Sequence, residues 1–199
     1  MATRHPLSRA ELPIDTVSLA RYLIGKIVVR ELSEGVASGR IVETEAYIVG
    51  DAAGHGHRGM TQRNRSLFLE RGHAYVYLAY GTSYMLNVSS ERPGIGTGIL
   101  IRALEPLEGI PIMQHNRGIA SLHDLARGPG RLAAALRIDR ALDGLDLCQQ
   151  GPLWLGRDDH EPGEIGQSIR IGISREADRV LRFYLRGSPF VSGARSLNG

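Results

Sequence analysis

The chain has 199 residues, of which 42% are hydrophobic and 23% are charged. This length suits one well-buried domain, and the composition excludes a disordered or fibrous protein. No apolar run approaches the roughly 20 residues that a membrane-spanning helix needs, and the first residues lack the apolar stretch of a signal peptide. We therefore expect a single domain over residues 1–199 of a cytoplasmic protein that acts without a membrane.

Arginine dominates the basic residues, since Lys26 is the only lysine. The planar guanidinium pairs with phosphates through two hydrogen bonds and stacks on rings, so this bias is compatible with a nucleic-acid partner. A GC-rich genome would produce the same bias without any functional cause. The single cysteine, Cys148, excludes an internal disulfide and a multi-cysteine zinc site.

The first predicted elements are a helix and a hairpin. Asp15 can cap a helix that runs to about Ile24. Two β-rich segments follow at 26–32 and 39–49, and a short glycine- and serine-containing segment between them predicts a hairpin turn. The polar, glycine-rich segment 50–66 is too long for a simple turn, which makes it a candidate functional loop.

The middle of the chain predicts sheet, and three strands are expected at 74–80, 83–90 and 98–106. Helices are then expected from Pro106 to about Asn116, at 122–127, and at 131–138 after the break Gly128-Pro129-Gly130. Alternating apolar residues predict two further strands at 168–174 and 181–187. The chain after Val191 is expected to fray.

Two acids and an aromatic residue share one face of the second strand. Side chains alternate across a strand, so Glu43, Glu45 and Tyr47 point to the same side. If that face is buried, each carboxylate needs a partner or a proton, and a raised pKa would suit a general base. If the strand lies at an exposed edge, the two acids are merely solvated.

Four of the seven tyrosines fall within ten residues, at positions 75, 77, 80 and 84. Tyr75 and Tyr77 share a strand face, and Tyr80 precedes Gly81 at the expected turn. Aromatic rings offer stacking surfaces for bases, and an aromatic wedge can unstack a base step. Tyrosine also favours strands for reasons of packing alone.

The histidines of the glycine-rich loop allow a metal site. His55 and His57, together with Glu43 or Glu45, could bind zinc or another divalent ion. Histidines spaced in this way within a polar loop are more often solvated or hydrogen-bonded, so a metal is the minority interpretation.

Taken together, six segments carry a resemblance to a known family: IVETEAY, DAAGHGHRGMTQRNRSLF, AYVYLAYGTSYMLNV, ILIRALEPLEG, GPGRLAAAL and LRFYLRGSPFVS. The sequence resembles the alkyladenine (3-methyladenine) DNA glycosylase family of the mammalian type. The segments occur in the family's order from the first helix to about Val191, which covers nearly the whole chain.

This resemblance implies a fold, a partner and a reaction. The fold would be a single α+β domain with a curved, largely antiparallel, open-barrel-like β-sheet flanked by helices. The protein would act as a monomer on double-stranded DNA, flip a damaged purine out of the duplex and hydrolyse its N-glycosidic bond. The substrates would be 3-methyladenine, 7-methylguanine, hypoxanthine and ethenoadenine, and no metal or other cofactor would be required.

The resemblance also assigns roles to the residues that form the site. Glu45 would be the general base that activates water, and Arg102 and the backbone of Val191 would help to hold that water, while Glu43 would be structural. Tyr47 would stack on one face of the flipped base, with His55, preferred over His57, and Tyr77 on the other. Asn87 would disfavour guanine at the pocket floor, and Tyr80 would fill the gap left in the duplex.

Phosphate contacts are expected from arginines, because such contacts supply most of the affinity for DNA without reading its sequence. The candidates are Arg58, Arg63, Arg65, Arg71 and Arg131. A glycosylase that also nicks the strand needs an amine nucleophile, usually lysine. With only Lys26 available, at the start of an apolar strand, no lyase step is expected.

Two other classes of protein remain open on the sequence. A metal-dependent hydrolase built on His55, His57 and the two glutamates would lose its activity in a chelator. A non-catalytic damage-binding protein would bind lesion-bearing DNA and release no base.

Overall fold

The computed structural model describes residues 4–198 of the chain. Within this range there are three α-helices: α1 (Thr16–Tyr22), α2 (Ile110–Arg117) and α3 (Pro129–Ala135). The side chain of Asp15 accepts a hydrogen bond from the Ser18 N–H and caps α1, as the sequence predicted. No helix in the described part of the chain is long and apolar enough to cross a membrane.

The described strands form one nine-stranded sheet. They are β1 (His5–Pro6), β2 (Ile27–Leu32), β3 (Gly35–Tyr47), β4 (Ala74–Ala79), β5 (Ser83–Ser89), β6 (Gly98–Glu108), β7 (Leu153–Arg157), β8 (Ile165–Ser168) and β9 (Arg182–Leu185).

Every strand pairing in this sheet is antiparallel. The main path runs β1-β7-β2-β3-β6-β5-β4, and β9 pairs with both β3 and β8. The long strand β3 therefore has β6 along one edge, and β2 and then β9 along the other. The curled sheet forms a half-barrel, which confirms the predicted α+β fold with an open-barrel-like antiparallel sheet.

The two faces of the sheet have different tasks. Val76, Leu86 and Ile101 point into the main core, which also contains Leu19 of α1 and Leu132 of α3. The alternate residues point away from these helices. On that second face the strand register aligns four residues from neighbouring strands in one row: Tyr75 opposite Asn87, Asn87 opposite Leu100, and Leu100 opposite Glu45.

The central strand β3 is unusually polar for a buried strand. Residues 37–46 are all buried, although they include Ser38, Arg40, Glu43, Thr44 and Glu45. Buried polar groups must be hydrogen-bonded to be tolerated. The Thr44 hydroxyl accordingly donates to the carbonyl of Ala20, and Arg40 donates to the carbonyl of Gly25.

Several predicted elements differ from the structure at their ends. Strand β6 continues to Glu108, so the helix predicted from Pro106 begins only at Ile110, after Gly109 in the left-handed conformation. The predicted helix at 122–127 is a single 3-10 turn at Leu122–Asp124. The strand predicted at 168–174 lies earlier, as β8, and strands β1 and β7 were not predicted.

A bidentate ion pair links β3 to the segment after β7. Arg40 Nη1 lies 3.0 Å from Asp158 Oδ1, and Arg40 Nη2 lies 2.9 Å from Asp158 Oδ2. The Arg40 hydrogen bonds lower the pKa of the Asp158 carboxyl to about 2. A carboxyl whose pKa is lower in the folded state stabilises the fold above its unfolded pKa and loses that contribution as the pH falls.

We therefore expect Asp158→Asn to lower the free energy of unfolding by about 1–2 kcal/mol at pH 7. The difference between the two proteins should narrow as the pH falls from about 4 towards 2. Urea unfolding followed by circular dichroism across this pH range measures both effects. If Asp158→Asn had the same loss of unfolding free energy at every pH, the charge of Asp158 would not be the source of that loss.

Candidate active site

A cavity of about 460 Å³ opens on the face of the sheet opposite the main core. This volume falls within the roughly 300–1,000 Å³ that is usual for small-molecule pockets. Its walls come from β3, β4, β5, β6, the glycine-rich loop, the start of α3 and the segment before β9. The lining includes Tyr47, His55, Arg63, Tyr75, Tyr77, Tyr80, Asn87, Leu100, Arg102, Pro129 and Ile171.

Arg102 lines this cavity and is shared by two carboxylates, Glu43 and Glu45, which are not lining residues themselves. Arg102 Nε lies 2.9 Å from Glu43 Oε1, and Arg102 Nη1 lies 3.2 Å from Glu45 Oε1. Both carboxylate side chains are fully buried. The solvated-edge interpretation of β3 is therefore wrong, because β3 has paired strands along both edges and neither carboxylate side chain has any exposed surface.

Glu43 has a dense set of partners on the side away from the cavity. Arg182 Nε donates to Glu43 Oε1 over 2.6 Å, and the Ser192 N–H donates to Glu43 Oε2 over 2.7 Å. Burial alone would raise the pKa of Glu43, but Arg102 and Arg182 together hold it below its usual value. Glu43 is thus a stably ionised link between three strands.

Glu45 has fewer charged partners and lies beside the cavity. The Ile171 N–H donates to Oε1 over 2.7 Å, and the Tyr47 hydroxyl donates to Oε2 over 3.1 Å. Burial raises the pKa of Glu45, and the nearby charge of Glu43 adds to this effect. Two neighbouring carboxyls whose pKa values are moved in opposite directions are a common sign of divided chemical roles.

Two aromatic walls face the cavity. Burial and the adjacent Glu45 raise the pKa of Tyr47, so its phenol is neutral at physiological pH. On the other wall the ring centroids of His55 and Tyr77 are 4.4 Å apart, and the Tyr75 ring stacks on Tyr77 at 5.3 Å. A flat, apolar ligand can enter between walls of this kind.

His55 is held in place by the strand beneath it. Its Nδ1 lies 2.8 Å from the Tyr75 hydroxyl. Although part of His55 is exposed, the surrounding protein lowers the pKa of its ring, and Arg63 lowers it further. The loop can lie this close to the segment before β6 because residue 56 is a glycine. Any other residue would place its Cβ only 1.9 Å from the carbonyl oxygen of Gly96. His57 lines an adjacent groove instead.

The floor and the rim of the cavity carry two further predicted residues. Asn87 is buried on β5, and its side-chain amide donates to the carbonyl of Tyr75 over 3.1 Å. Tyr80 stands at the tip of the β4–β5 turn with 87% of its surface exposed. Tyr80 and Gly81 both have positive φ, 52° and 70°, which is the backbone of a tight hairpin turn and is strained for tyrosine.

Val191 is buried and is not among the residues that line the cavity. Its side chain packs against Val42, Ala103 and Tyr184. Its carbonyl accepts a hydrogen bond from Arg127 Nε over 2.9 Å, a partner that the sequence did not suggest. The next residue, Ser192, is the one that contacts Glu43.

The predicted phosphate-binding arginines fall into two groups. Arg58, Arg63 and Arg65 are exposed on the glycine-rich loop or at its end. Arg63 lines both the cavity and the adjacent groove, and Arg58 lines the groove. The structure does not bring Arg71 or Arg131 to the cavity. Arg71 donates to backbone carbonyls of the N-terminal segment, and Arg131 pairs with Asp124 at 3.0 Å.

The ligands of the alternative metal site are not assembled. Within residues 4–198 there is no group of three or more His, Cys, Asp or Glu side chains placed to hold a metal ion. Both glutamates instead face arginines, and His55 faces a tyrosine hydroxyl. The cavity also lacks lysine among its described lining residues, because Lys26 lies elsewhere, against the ring of Tyr22.

The buried charges that surround the site were not predicted from the sequence. Arg182 is fully buried, and Arg170 pairs with Asp51 although both side chains have no exposed surface. Each arginine interrupts an otherwise apolar strand-like segment, and that interruption is the signal that could have identified it. Arg127 gave no comparable signal.

A buried carboxylate beneath two aromatic walls is the arrangement expected of an enzyme that acts on a base taken out of a nucleic-acid stack. The model of the "Methylpurine-DNA glycosylase (MPG)" family matches residues 10–189. The chain belongs to the methylpurine-DNA glycosylase family, and its class is that of the DNA glycosylases of base-excision repair.

Similar proteins occur in several other organisms. A protein of Mesorhizobium japonicum named "Putative 3-methyladenine DNA glycosylase" is 78% identical over 96% of this chain and 92% of its own length. Proteins of the same name from Paraburkholderia phytofirmans and Methanoculleus marisnigri are 53% and 45% identical. Those matches cover 96% and 89% of this chain, and 90% and 94% of the relatives.

The opposite pKa directions of the two glutamates predict opposite effects on stability. Glu43→Gln leaves Arg102 and Arg182 without their shared anion, so we expect it to lower the free energy of unfolding by about 3 kcal/mol. Glu45→Gln removes a charge that burial disfavours, so we expect the same or a higher melting temperature than the wild type at pH 7. Thermal melts of the two matched variants test this pair. A larger loss of melting temperature in Glu45→Gln than in Glu43→Gln would contradict this assignment of the two glutamates.

Proposed function

We propose that this protein excises damaged purines, namely 3-methyladenine, 7-methylguanine, hypoxanthine and ethenoadenine, from double-stranded DNA by hydrolysis. Glu45 carries the proposal, since it is a buried carboxylate with a raised pKa beneath a cavity with aromatic walls. A base that accepts protons works best when its pKa lies nearer the working pH than that of an ordinary carboxyl.

The proposed reaction is a displacement at the sugar. The oxygen of a water molecule forms a bond to C1′ of the deoxyribose, and the bond from C1′ to the purine nitrogen breaks, with its electron pair leaving on the purine. Glu45 takes a proton from the water, and its charge stabilises the cationic character that develops at the sugar. The products are an abasic site and a free purine. A cationic alkylated purine leaves as a neutral molecule, whereas the anion released from a neutral purine takes up a proton from solvent, and Glu45 gives its proton back to solvent.

Arg102 and Val191 are proposed to complete the site of the water. The contact between Arg102 Nη1 and Glu45 Oε1 fixes the carboxylate that the water must approach. The Val191 carbonyl already accepts one hydrogen bond from Arg127, and a carbonyl oxygen has a second lone pair for a water molecule. Glu43 has no direct part, because its oxygens are occupied by Arg102, Arg182 and Ser192.

The flipped base is proposed to lie between Tyr47 on one side and His55 with Tyr77 on the other. Alkylated purines carry positive charge and are attracted to the faces of aromatic rings. Asn87 on the floor would then meet the purine edge and disfavour the exocyclic amino group of guanine. The neutral purines in this list lack that cation–π attraction and are also the poorer leaving groups.

The same geometry supports a monofunctional enzyme. A lyase step needs an amine that can attack C1′, whereas Lys26 lies against Tyr22, and no lysine lines the described cavity. We also propose that the protein acts as a monomer with no obligate protein partner.

Replacing Glu45 tests the proposed reaction. We expect Glu45→Gln to bind duplex DNA with one ethenoadenine or hypoxanthine as the wild type does, and to release the base at least about 100-fold more slowly. Release is measured under single-turnover conditions in a chelator, and alkali then cleaves the strand at abasic sites. Cleavage by the wild type should depend on the alkali.

Glu43→Gln is the matched control, because it makes the same change from a carboxylate to an amide at the neighbouring glutamate. It should keep more activity than Glu45→Gln when the two are compared below the melting temperature of each. Activity that disappears in the chelator would favour a metal-dependent hydrolase. Tight binding of lesion DNA by the wild type with no base released from ethenoadenine, hypoxanthine or methylated duplexes would favour a binding protein.

Tyr80 is proposed to fill the space that the flipped base leaves in the duplex. Because the Tyr80 side chain is exposed, Tyr80→Ala should leave the melting temperature unchanged, so any loss of DNA binding is not caused by unfolding. We expect this variant to lose about 1–3 kcal/mol of binding free energy for lesion DNA, which is the value of one base–aromatic stack. Tyr80→Phe keeps the ring and should bind normally. Full affinity of Tyr80→Ala in a fluorescence anisotropy titration would remove Tyr80 from this role.

A further inference from the structure

A buried ion pair lies directly behind the cavity and has no part in the reaction described above. Arg170 Nη2 lies 3.2 Å from Asp51 Oδ1, and Arg170 Nη1 contacts Asp51 Oδ2. Both side chains are completely buried. Removing two charges from water is costly, and a hydrophobic pair of similar size is often at least as stable. The pair therefore calls for an explanation other than stability.

Two contacts of Arg170, and one of the residue that follows it, reach the part of β3 that carries Glu45 and Tyr47. Arg170 Nη1 donates to the carbonyl of Ala46, the residue between them, over 3.1 Å. Its guanidinium carbon lies 4.7 Å from the centre of the Tyr47 ring, on which the guanidinium stacks. The next residue in the chain, Ile171, places its N–H 2.7 Å from Glu45 Oε1.

Asp51 connects the same arginine to the opposite wall. Its Oδ1 accepts a hydrogen bond from the Ala53 N–H over 3.0 Å, and its carbonyl accepts one from the Gly54 N–H over 2.9 Å. These two residues lead directly to His55, which forms the second aromatic wall with Tyr77. The ion pair thus joins the backbone beneath one wall to the backbone that carries the other.

We propose that Asp51 and Arg170 are positioning residues, and that their ion pair holds Glu45, Tyr47 and the His55 loop in the arrangement needed for base release. This inference rests on the proposed role of Glu45. Arginine is required because it can bond to a carboxylate and a carbonyl and stack on a ring at once, which the point charge of lysine cannot do. Fixed donors around a reacting group accelerate reactions because they need no rearrangement in the transition state.

Two variants test the pair. Arg170→Gln removes the cation, and Asp51→Asn keeps the size and the Oδ1 acceptor for the Ala53 N–H while its amide opposes the guanidinium. We expect each to slow single-turnover base release from an ethenoadenine duplex by about 10- to 100-fold. If the two residues act as one unit, the double variant should be no slower than the slower single variant. Arg170→Lys should recover only a small part of the rate.

The pH dependence of release separates positioning from general stability. The Ile171 N–H favours the ionised form of Glu45, and its loss would raise the pKa of that carboxyl further. Release requires ionised Glu45, so the acidic limb of the rate profile should move to higher pH in both variants. A variant that is merely less stable would lose rate in proportion to its unfolded fraction, with the limb unmoved.

Arg186→Gln is the matched control, because Arg186 forms an exposed ion pair with Glu164 at 2.9 Å in the same part of the chain. It should keep the wild-type rate and pH profile. If Arg170→Gln does not fold, Asp51→Asn decides the question alone. The positioning role would be overturned if the folded variants released the base at the wild-type rate, with the acidic limb of the pH profile at the wild-type position, while Glu45→Gln was inactive. An active Glu45→Gln would instead overturn the proposed function on which it rests.

Discussion

Arg102 joins two buried carboxylates, and the arrangement of the site depends on that bridge. Without Arg102, two anions would lie close together in a water-poor interior, and one of them would have to take up a proton. With it, Glu43 can be ionised permanently because Arg182 adds a second cation, whereas Glu45 depends on Arg102, one N–H and one hydroxyl. The opposite pKa shifts of these two chemically identical residues thus come from the partners that they do not share.

The sequence predicted those parts of the site that lie on regular strands. Alternation alone placed Glu43, Glu45 and Tyr47 on one face of β3, and it placed Tyr75 and Tyr77 on one face of β4. It could not show that these faces meet, because that depends on β5 and β6 lying between them in register. The resemblance to a family supplied that information, since it describes a whole fold rather than one strand.

Long-range partners were beyond the sequence for a physical reason. Asp51 and Arg170 are separated by 119 positions, and Glu43 and Arg182 by 139. Local propensity carries no information about contacts of this kind, so Arg170 and Arg182 were absorbed into predicted apolar strands. The errors at Pro106 and at 122–127 have a different origin. Pairing with β3 extends β6 past Pro106 as far as Glu108, before the left-handed Gly109, and Arg127 forms a β-bridge with Ala103 of β6 instead of continuing a helix.

The same contacts explain part of the arginine bias. Among the described residues four arginines are buried, at 40, 102, 170 and 182, and each pairs with a carboxylate. Their partners are Asp158, Glu43 with Glu45, Asp51 and Glu43. Each guanidinium also donates to a backbone carbonyl or a serine, a geometry that an ammonium cannot reproduce at several acceptors in one plane.

Because these four cations face four carboxylates, the formal net charge of +3 belongs to the rest of the chain. That remainder includes Arg58, Arg63 and Arg175 in the groove beside the cavity, where a polyanion would approach.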